Sequence, residues 1–320
     1  MRKLFVVAAT LLCSFSCLAQ QPDTLIKKLD SLSQKTDSAG GQVNVTHPEA
    51  YNENTRITVP AFFILEGSNL KQAFTKPFHM SGQNWKTVGK FAVVVGALAF
   101  ADRPIQRWAL NLRNSNSGLH TVSRYVTNFG GPYEGYTLGA LGAYGFLFRN
   151  IKMQTTTLLA LQSYITGAAV QSVVKFVTGR QRPLALSRND QVGSPTFKGP
   201  FRTLKDAEGN KLNGSFPSGH TTVAFAAATV YALEYADKPW VPVMAYTAAS
   251  LIGFSRITEN KHWATDVLAG AALGYLTGKQ VVNNYHRYAK LKAPKQQRNS
   301  VSFSIGYSDG QLLPGMVYRF

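Results

Sequence analysis

Acidic residues are scarce in this chain: 16 Asp and Glu stand against 34 Lys and Arg, for a formal net charge of +18. That excess favours an anionic partner, whether nucleic acid, an acidic membrane face or a phosphorylated substrate. Cysteine is almost absent. Cys13 and Cys17 are the two present, and both fall within the first nineteen residues, so the rest of the chain has neither a disulfide framework nor a cysteine metal site. The sequence also lacks a Gly-x-x-x-x-Gly-Lys-Ser/Thr loop for nucleotide phosphates, a Gly-x-Ser-x-Gly elbow, and an interleaved basic and aromatic stripe for nucleic acid. Its apolar runs mostly fall near or below the length of about 20 residues that spans a bilayer.

What is present begins with Arg2 and Lys3, an apolar run from Leu4 to Leu12, and small residues ending at Ala19. This is the layout of a secretory signal peptide over residues 1–19, and it predicts export to the cell envelope. Residues 20–84 are polar, without a long apolar period, and are expected to form an exported arm. The texture changes at Trp85. Phe91–Ala101, Tyr136–Phe148, Thr155–Val174, Thr222–Ala236, Val241–Phe254 and Val267–Val282 are apolar stretches too long for strands, so residues 85–285 are expected to be an all-α core. Such helices suit either a membrane-embedded bundle or a soluble one whose inner helices are apolar all round. The basic run Lys279, Arg287, Lys290, Lys292, Lys295 and Arg298 agrees with a cytoplasmic end, which leaves the loops 175–217 and 255–262 on the periplasmic side if the 91–101 run does not cross the membrane, and reverses every later loop if it does. A fully periplasmic bundle is the other arrangement. Residues 286–320 are expected to be a basic linker followed by a β-hairpin around Ser308-Asp309-Gly310.

Three short segments place phosphate-binding and proton-transferring groups where apolar helices begin or end. In KFVTGRQRP, Arg182 offers a planar fork to a phosphate and Lys175 a point charge. Cations at a helix C-terminus also complement its dipole, so this segment alone does not decide the matter. In FPSGHTT, Pro217 stops a preceding helix, Ser218 is a natural N-cap and Gly219 allows close backbone approach, so free amides and a positive dipole end meet beside His220. In FSRITENKHWATD, Ser255 and Arg256 precede a loop, after which His262 and Asp266 lie four apart and share a helix face. A carboxylate one turn away can fix the imidazole tautomer and leave the other nitrogen nucleophilic. A metal site is disfavoured, because Lys175, Arg182 and Arg256 would repel a divalent cation.

Lys175 with six residues before Arg182-Pro183, then Pro217-Ser218-Gly219-His220, then Ser255-Arg256 followed by His262 and Asp266, resembles the tripartite signature of the type 2 phosphatidic acid phosphatase superfamily. The resemblance covers roughly residues 85–285, with a long insertion-like loop at 184–214. It implies a six-helix core and cofactor-free, metal-independent hydrolysis of a phosphoester or pyrophosphate through a phosphohistidine. His262 would be the nucleophile, oriented by Asp266. His220 would serve the leaving group, while Lys175, Arg182, Ser218, Gly219 and Arg256 held the phosphate. Within that family the apolar helices favour a phosphorylated lipid substrate at a membrane. A soluble periplasmic acid phosphatase and a vanadium haloperoxidase are the other members to weigh, and a non-catalytic envelope protein binding anionic lipid is a reading of another class.

Overall fold

Short polar side chains set the helix starts. In the computed structural model, Thr58, Ser81, Asn116 and Asn150 each accept a hydrogen bond from the backbone N–H three residues on, and each opens a helix. The structure describes residues 26–29, 31, 51, 55–183, 195–201, 212–292, 300–308 and 311–319. The signal segment expected at 1–19, and most of the 184–214 loop, lie outside them.

Among the described residues the α-helices are α1 (Val59–Thr75), α2 (Gly82–Ala99), α3 (Asp102–Asn114), α4 (Ser117–Phe129), α5 (Pro132–Leu147), α6 (Ile151–Thr178), α7 (Gly219–Glu234), α8 (Trp240–Thr258) and α9 (Ala264–Lys292). The all-α expectation for the core holds. Among the described residues there are more helices than the six expected, because a helix from the expected arm and two amphipathic helices spanning Asp102–Asn114 and Ser117–Phe129 join the bundle. Beyond the bundle, β1 (Ser300–Ser308) and β2 (Gln311–Arg319) pair antiparallel, with Ser308 opposite Gln311.

Helix α7 is the hub, packing against α6, α8 and α9. Its small side chains Ala224, Ala226, Ala227 and Ala228 let those neighbours close in. On α9 the stripe Gly270, Gly274 and Gly278 faces α7 so closely that a methyl group at Gly274 would lie 2.2 Å from the Thr222 carbonyl oxygen. Small residues at four-residue spacing permit this approach. The result brings the start of α9 beside the start of α7, where the Ser218 N–H donates to the Asp266 carbonyl at 2.9 Å. Around the hub, Leu65, Leu159, Val230, Val281 and Tyr285 form one apolar core with Leu29 and Tyr51. Each fully buried aliphatic side chain there contributes about 1.5–3 kcal/mol.

The expectation of a peripheral arm over 20–84 does not hold for α1. Its inward face mixes Ala61 and Leu65 with polar residues: Glu66 accepts from Thr166 Oγ1 at 3.0 Å, Asn284 Nδ2 donates to Asn69 Oδ1 at 2.8 Å, and Gln72 Nε2 donates to Asn284 Oδ1 at 3.0 Å. A helix buried largely by hydrogen bonds to α6 and α9 leaves little apolar period in the sequence, which is why the stretch reads as a loop.

Candidate active site

The chain reaches the site from three helix ends. Helix α6 stops at Gly179, which adopts φ 54° and donates its N–H to the Lys175 carbonyl at 3.0 Å. That turn leaves Lys175 in the last turn of α6 and carries Arg180 and Arg182 beneath the start of α7. Helix α8 ends at Thr258, and Asn260 at φ 54° folds the loop back so that the Lys261 and His262 N–H groups both donate to the Arg256 carbonyl, at 3.0 and 3.2 Å. Gln106 on α3 pins this loop, donating from Nε2 to Asn260 Oδ1 and to the Ile257 carbonyl, each at 2.9 Å.

His262 is 1% exposed, and its Nδ1 lies 2.7 Å from the Ser215 carbonyl oxygen. A carbonyl only accepts, so Nδ1 carries the ring hydrogen and Nε2 keeps its lone pair. The sequence reading gave this orienting bond to Asp266. Its Oδ2 is instead 3.6 Å from Nδ1, beyond hydrogen-bond range. Asp266 accepts from Ser215 Oγ, from Arg180 Nη1 and from the Trp263 N–H, the last at 2.9 Å. It therefore fixes the segment that holds His262 rather than the ring itself, because the imidazole turns toward the nearer main-chain oxygen.

Two residues behind Asp266 escaped the sequence reading. Arg180 Nη2 donates to Asp102 Oδ2 at 2.7 Å and Nη1 to Thr265 Oγ1 at 2.6 Å, while the Thr265 N–H donates to Asp102 Oδ1 at 3.0 Å. Asp102 is completely buried and Arg180 nearly so. In the sequence Asp102 looks like the charged stop after an apolar run, and Arg180 like one more cation beside Lys175. The signal that could have found Asp102 is an acid in so basic a chain, placed directly after an apolar helix.

Lys175, Arg182 and Arg256 are the charges felt most strongly at His262, and the same three act on His220, so the structure gathers all three sequence segments into one place. Arg256 Nη1 donates to Thr127 Oγ1 at 2.8 Å, which aims its guanidinium from α4. The Nε atoms of Arg182 and Arg256 are buried without a hydrogen-bond partner among the described residues, as suits groups that complete their bonding on an anion. Ser218 holds the N-cap position of α7 without a side-chain capping bond, its Oγ accepting from Thr221 Oγ1 at 2.8 Å, and Gly219 sits so close to the cation that a methyl group there would meet Lys175 Nζ at 2.9 Å. Across the site His220 packs on Gly130 and Gly131, where a methyl group at Gly131 would come 3.1 Å from its Nε2. Burial first, and then Arg182, Arg256 and Lys175, hold the His262 imidazole well below its ordinary value. Burial and then Arg256 bring His220 down to about 3. Burial also lowers Arg182. Among the described residues no three His, Cys, Asp or Glu side chains cluster as metal ligands.

The model of the PAP2 superfamily matches residues 156–289, from α6 through the Ser218 and His262 segments. Over these residues the chain is similar to the PAP2 superfamily. The chain is similar to part of a lipid A 1-phosphatase from Porphyromonas gingivalis, 58% identical over 66 residues that make up 20% of this chain and 15% of that protein. It is also similar to lipid phosphate phosphatase 1 of Arabidopsis thaliana, 31% identical over 170 residues, 44% of this chain and 50% of that one. The chain thus spans half the length of these curated relatives or less. A solved transmembrane PAP2-type phosphatidylglycerolphosphate phosphatase from Bacillus subtilis superposes with a TM-score of 0.43 at 21% identity, over 65% of this chain and 95% of that structure.

Proposed function

We propose that this PAP2-like protein hydrolyses a phosphorylated lipid, a monophosphate or pyrophosphate, through a phosphohistidine on His262. The observation that carries this reading is the His262 ring, with Nδ1 committed to the Ser215 carbonyl at 2.7 Å and three cations around it. Lys175, Arg182, Arg256, the Ser218 hydroxyl and the Gly219 amide hold the phosphoryl oxygens and balance the charge that develops on them. The Nε2 lone pair of His262 forms the bond to phosphorus as the bond from phosphorus to the lipid oxygen breaks. That oxygen takes a proton relayed through His220. Water then loses a proton to His220 and attacks phosphorus, which frees His262 and releases inorganic phosphate. Asp266, tied to Arg180 and Asp102, keeps the Ser215 and Trp263 segments in register with the ring.

The lipid class is supported by the printed activities of the relatives and by apolar surface. Helix α2 has no buried residue, and Val93, Val94 and Phe100 on or beside it are exposed, as are Phe176 and Val177 at the end of α6. Helix α6 is the one described helix long and apolar enough to cross a membrane. We place the protein in the cell envelope, in or at the inner membrane with the site facing the periplasm.

The test is phosphate release in the presence of EDTA from dispersed phosphatidic acid, from a prenyl pyrophosphate and from a water-soluble aryl monoester, by the wild type and His262→Ala. Release from the lipids that falls by at least about a thousandfold in the variant is the expected result. Turnover confined to the soluble ester would make the protein an acid phosphatase, and undiminished turnover in His262→Ala would remove the phosphohistidine.

A further inference from the structure

Between α4, α5, α7 and α8 lies a cavity of about 320 Å³ lined by Phe129, Leu138, Leu141, Ala228 and Ile252, and by one carboxyl, Glu134. The polar side chains on its wall are otherwise already occupied. Tyr231 Oη shares a hydrogen bond with Thr157 Oγ1 at 3.0 Å, and Thr137 Oγ1 donates to the Tyr133 carbonyl at 2.8 Å. Glu134 is different. It is 6% exposed, and neither of its side-chain oxygens has a hydrogen-bond partner among the described residues. Its place in the first turn of α5 complements the helix dipole, but that long-range attraction does not satisfy buried oxygen lone pairs. A carboxyl kept in an apolar cavity bears its desolvation cost until a ligand supplies the partner.

The cavity adjoins the phosphate site on one particular side. Gly130 and Gly131, immediately before α5, are the residues on which His220 packs, and a methyl group at Gly130 would lie 2.5 Å from Cγ2 of Ile252, which lines the cavity. Glu134 sits one helical turn beyond Gly131. His220 is the residue that serves the leaving oxygen, so what extends from that oxygen points toward this apolar space. A hydroxyl fits Glu134 in either protonation state, donating to a carboxylate and accepting from a carboxyl.

Resting on the phosphatase reading above, we propose that this cavity receives the hydrocarbon portion of the lipid phosphate on its leaving-group side, and that Glu134 hydrogen-bonds a hydroxyl carried on that chain. Glu134 is then a specificity residue: it selects among lipid phosphates by a polar group on the chain and takes no part in phosphoryl transfer.

The experiment compares kcat/KM for phosphate release from a straight-chain alkyl monophosphate and from a chain of equal length bearing one hydroxyl near the phosphate end. The purified full chain in detergent is used as wild type, Glu134→Leu and Glu134→Gln. Wild type should prefer the hydroxylated chain by about tenfold, the scale of one hydrogen bond to a buried charged or ionisable group. Glu134→Leu should abolish that preference by slowing only the hydroxylated substrate, and Glu134→Gln, which keeps a donor and an acceptor, should restore part of it. The unchanged turnover of the plain chain reports that each variant is folded. Equal turnover of both chains by wild type, or equal slowing of both by Glu134→Leu, overturns the assignment of Glu134 alone. Release by wild type from neither chain, nor from phosphatidic acid or the prenyl pyrophosphate, overturns the phosphatase reading and this assignment with it, whereas release from those lipids but from neither chain overturns this assignment alone.

Discussion

At His262 one hydrogen bond decides the chemistry. The Ser215 carbonyl takes the Nδ1 hydrogen, and burial with three nearby cations keeps a second proton off the ring. Because the shift is downward, acidification through the ordinary histidine value of about 6.5 leaves His262 neutral and nucleophilic. His220, brought to about 3, is also unprotonated near neutrality in the free protein. In the proposed reaction the proton for the leaving oxygen therefore arrives with the phosphate monoanion. The prediction is that kcat/KM falls on the alkaline side of the substrate's second ionisation, at about pH 6. When a more electron-withdrawing alcohol lowers that ionisation, the limb should move down with it. A limb fixed at one pH across such a series would assign it to an enzyme histidine instead. Asp102 and Arg180 act one step further back. Removing one member of so buried a pair typically costs about 3–5 kcal/mol, because the other charge is left without compensation.

Helices α7 and α9 bring the residues together, and their separation is set by glycine. Gly274 faces the Thr222 carbonyl with no room for a side chain, and Gly270 and Gly278 repeat this contact one turn away on either side. Gly274→Leu must push α9 outward, which separates Asp266 from the Ser218 N–H. The expected outcome is a loss of about 1–3 kcal/mol in thermal or denaturant unfolding, together with a fall in kcat larger than the rise in KM. Wild-type stability and kinetics in that variant would show that the two helices can part without disturbing the site. Helix α1 teaches the complementary lesson. Thr58 and Pro60 mark its start in the sequence, but Glu66, Asn69 and Gln72 face inward, so hydrophobic periodicity has little to detect. Interhelical hydrogen bonds join it to α6 and α9 instead, each contributing about 0.5–1.5 kcal/mol net.

For the whole molecule, the decisive feature is where apolar surface remains after packing. The core around Leu159, Val230 and Val281 is fully buried, yet Phe146, Leu147 and Phe148 at the end of α5 are largely exposed, as are Val243 and Met244 on α8. Contiguous apolar surface of this kind marks a membrane or partner-binding face. The prediction is that the protein sediments with membranes, stays there through an alkaline carbonate wash, and is released by detergent. Recovery in the wash supernatant would place it as a soluble or peripheral protein and would favour the acid phosphatase reading.

The sequence by itself determined the helical class of the core, the net positive charge, and the eight residues from Lys175 to Asp266 that meet at the site, because motif spacing and apolar periodicity are local properties. It also located the helix start at Ser218, because Pro217 before it cannot continue a preceding helix. Only the tertiary structure decided that Nδ1 of His262 bonds the Ser215 carbonyl, that Asp102 and Arg180 lie behind Asp266, and that Glu134 faces an apolar cavity without a partner. Each of these joins residues distant in the chain or depends on which of two nearby acceptors a ring turns toward, and such choices are fixed by packing geometry rather than by residue order.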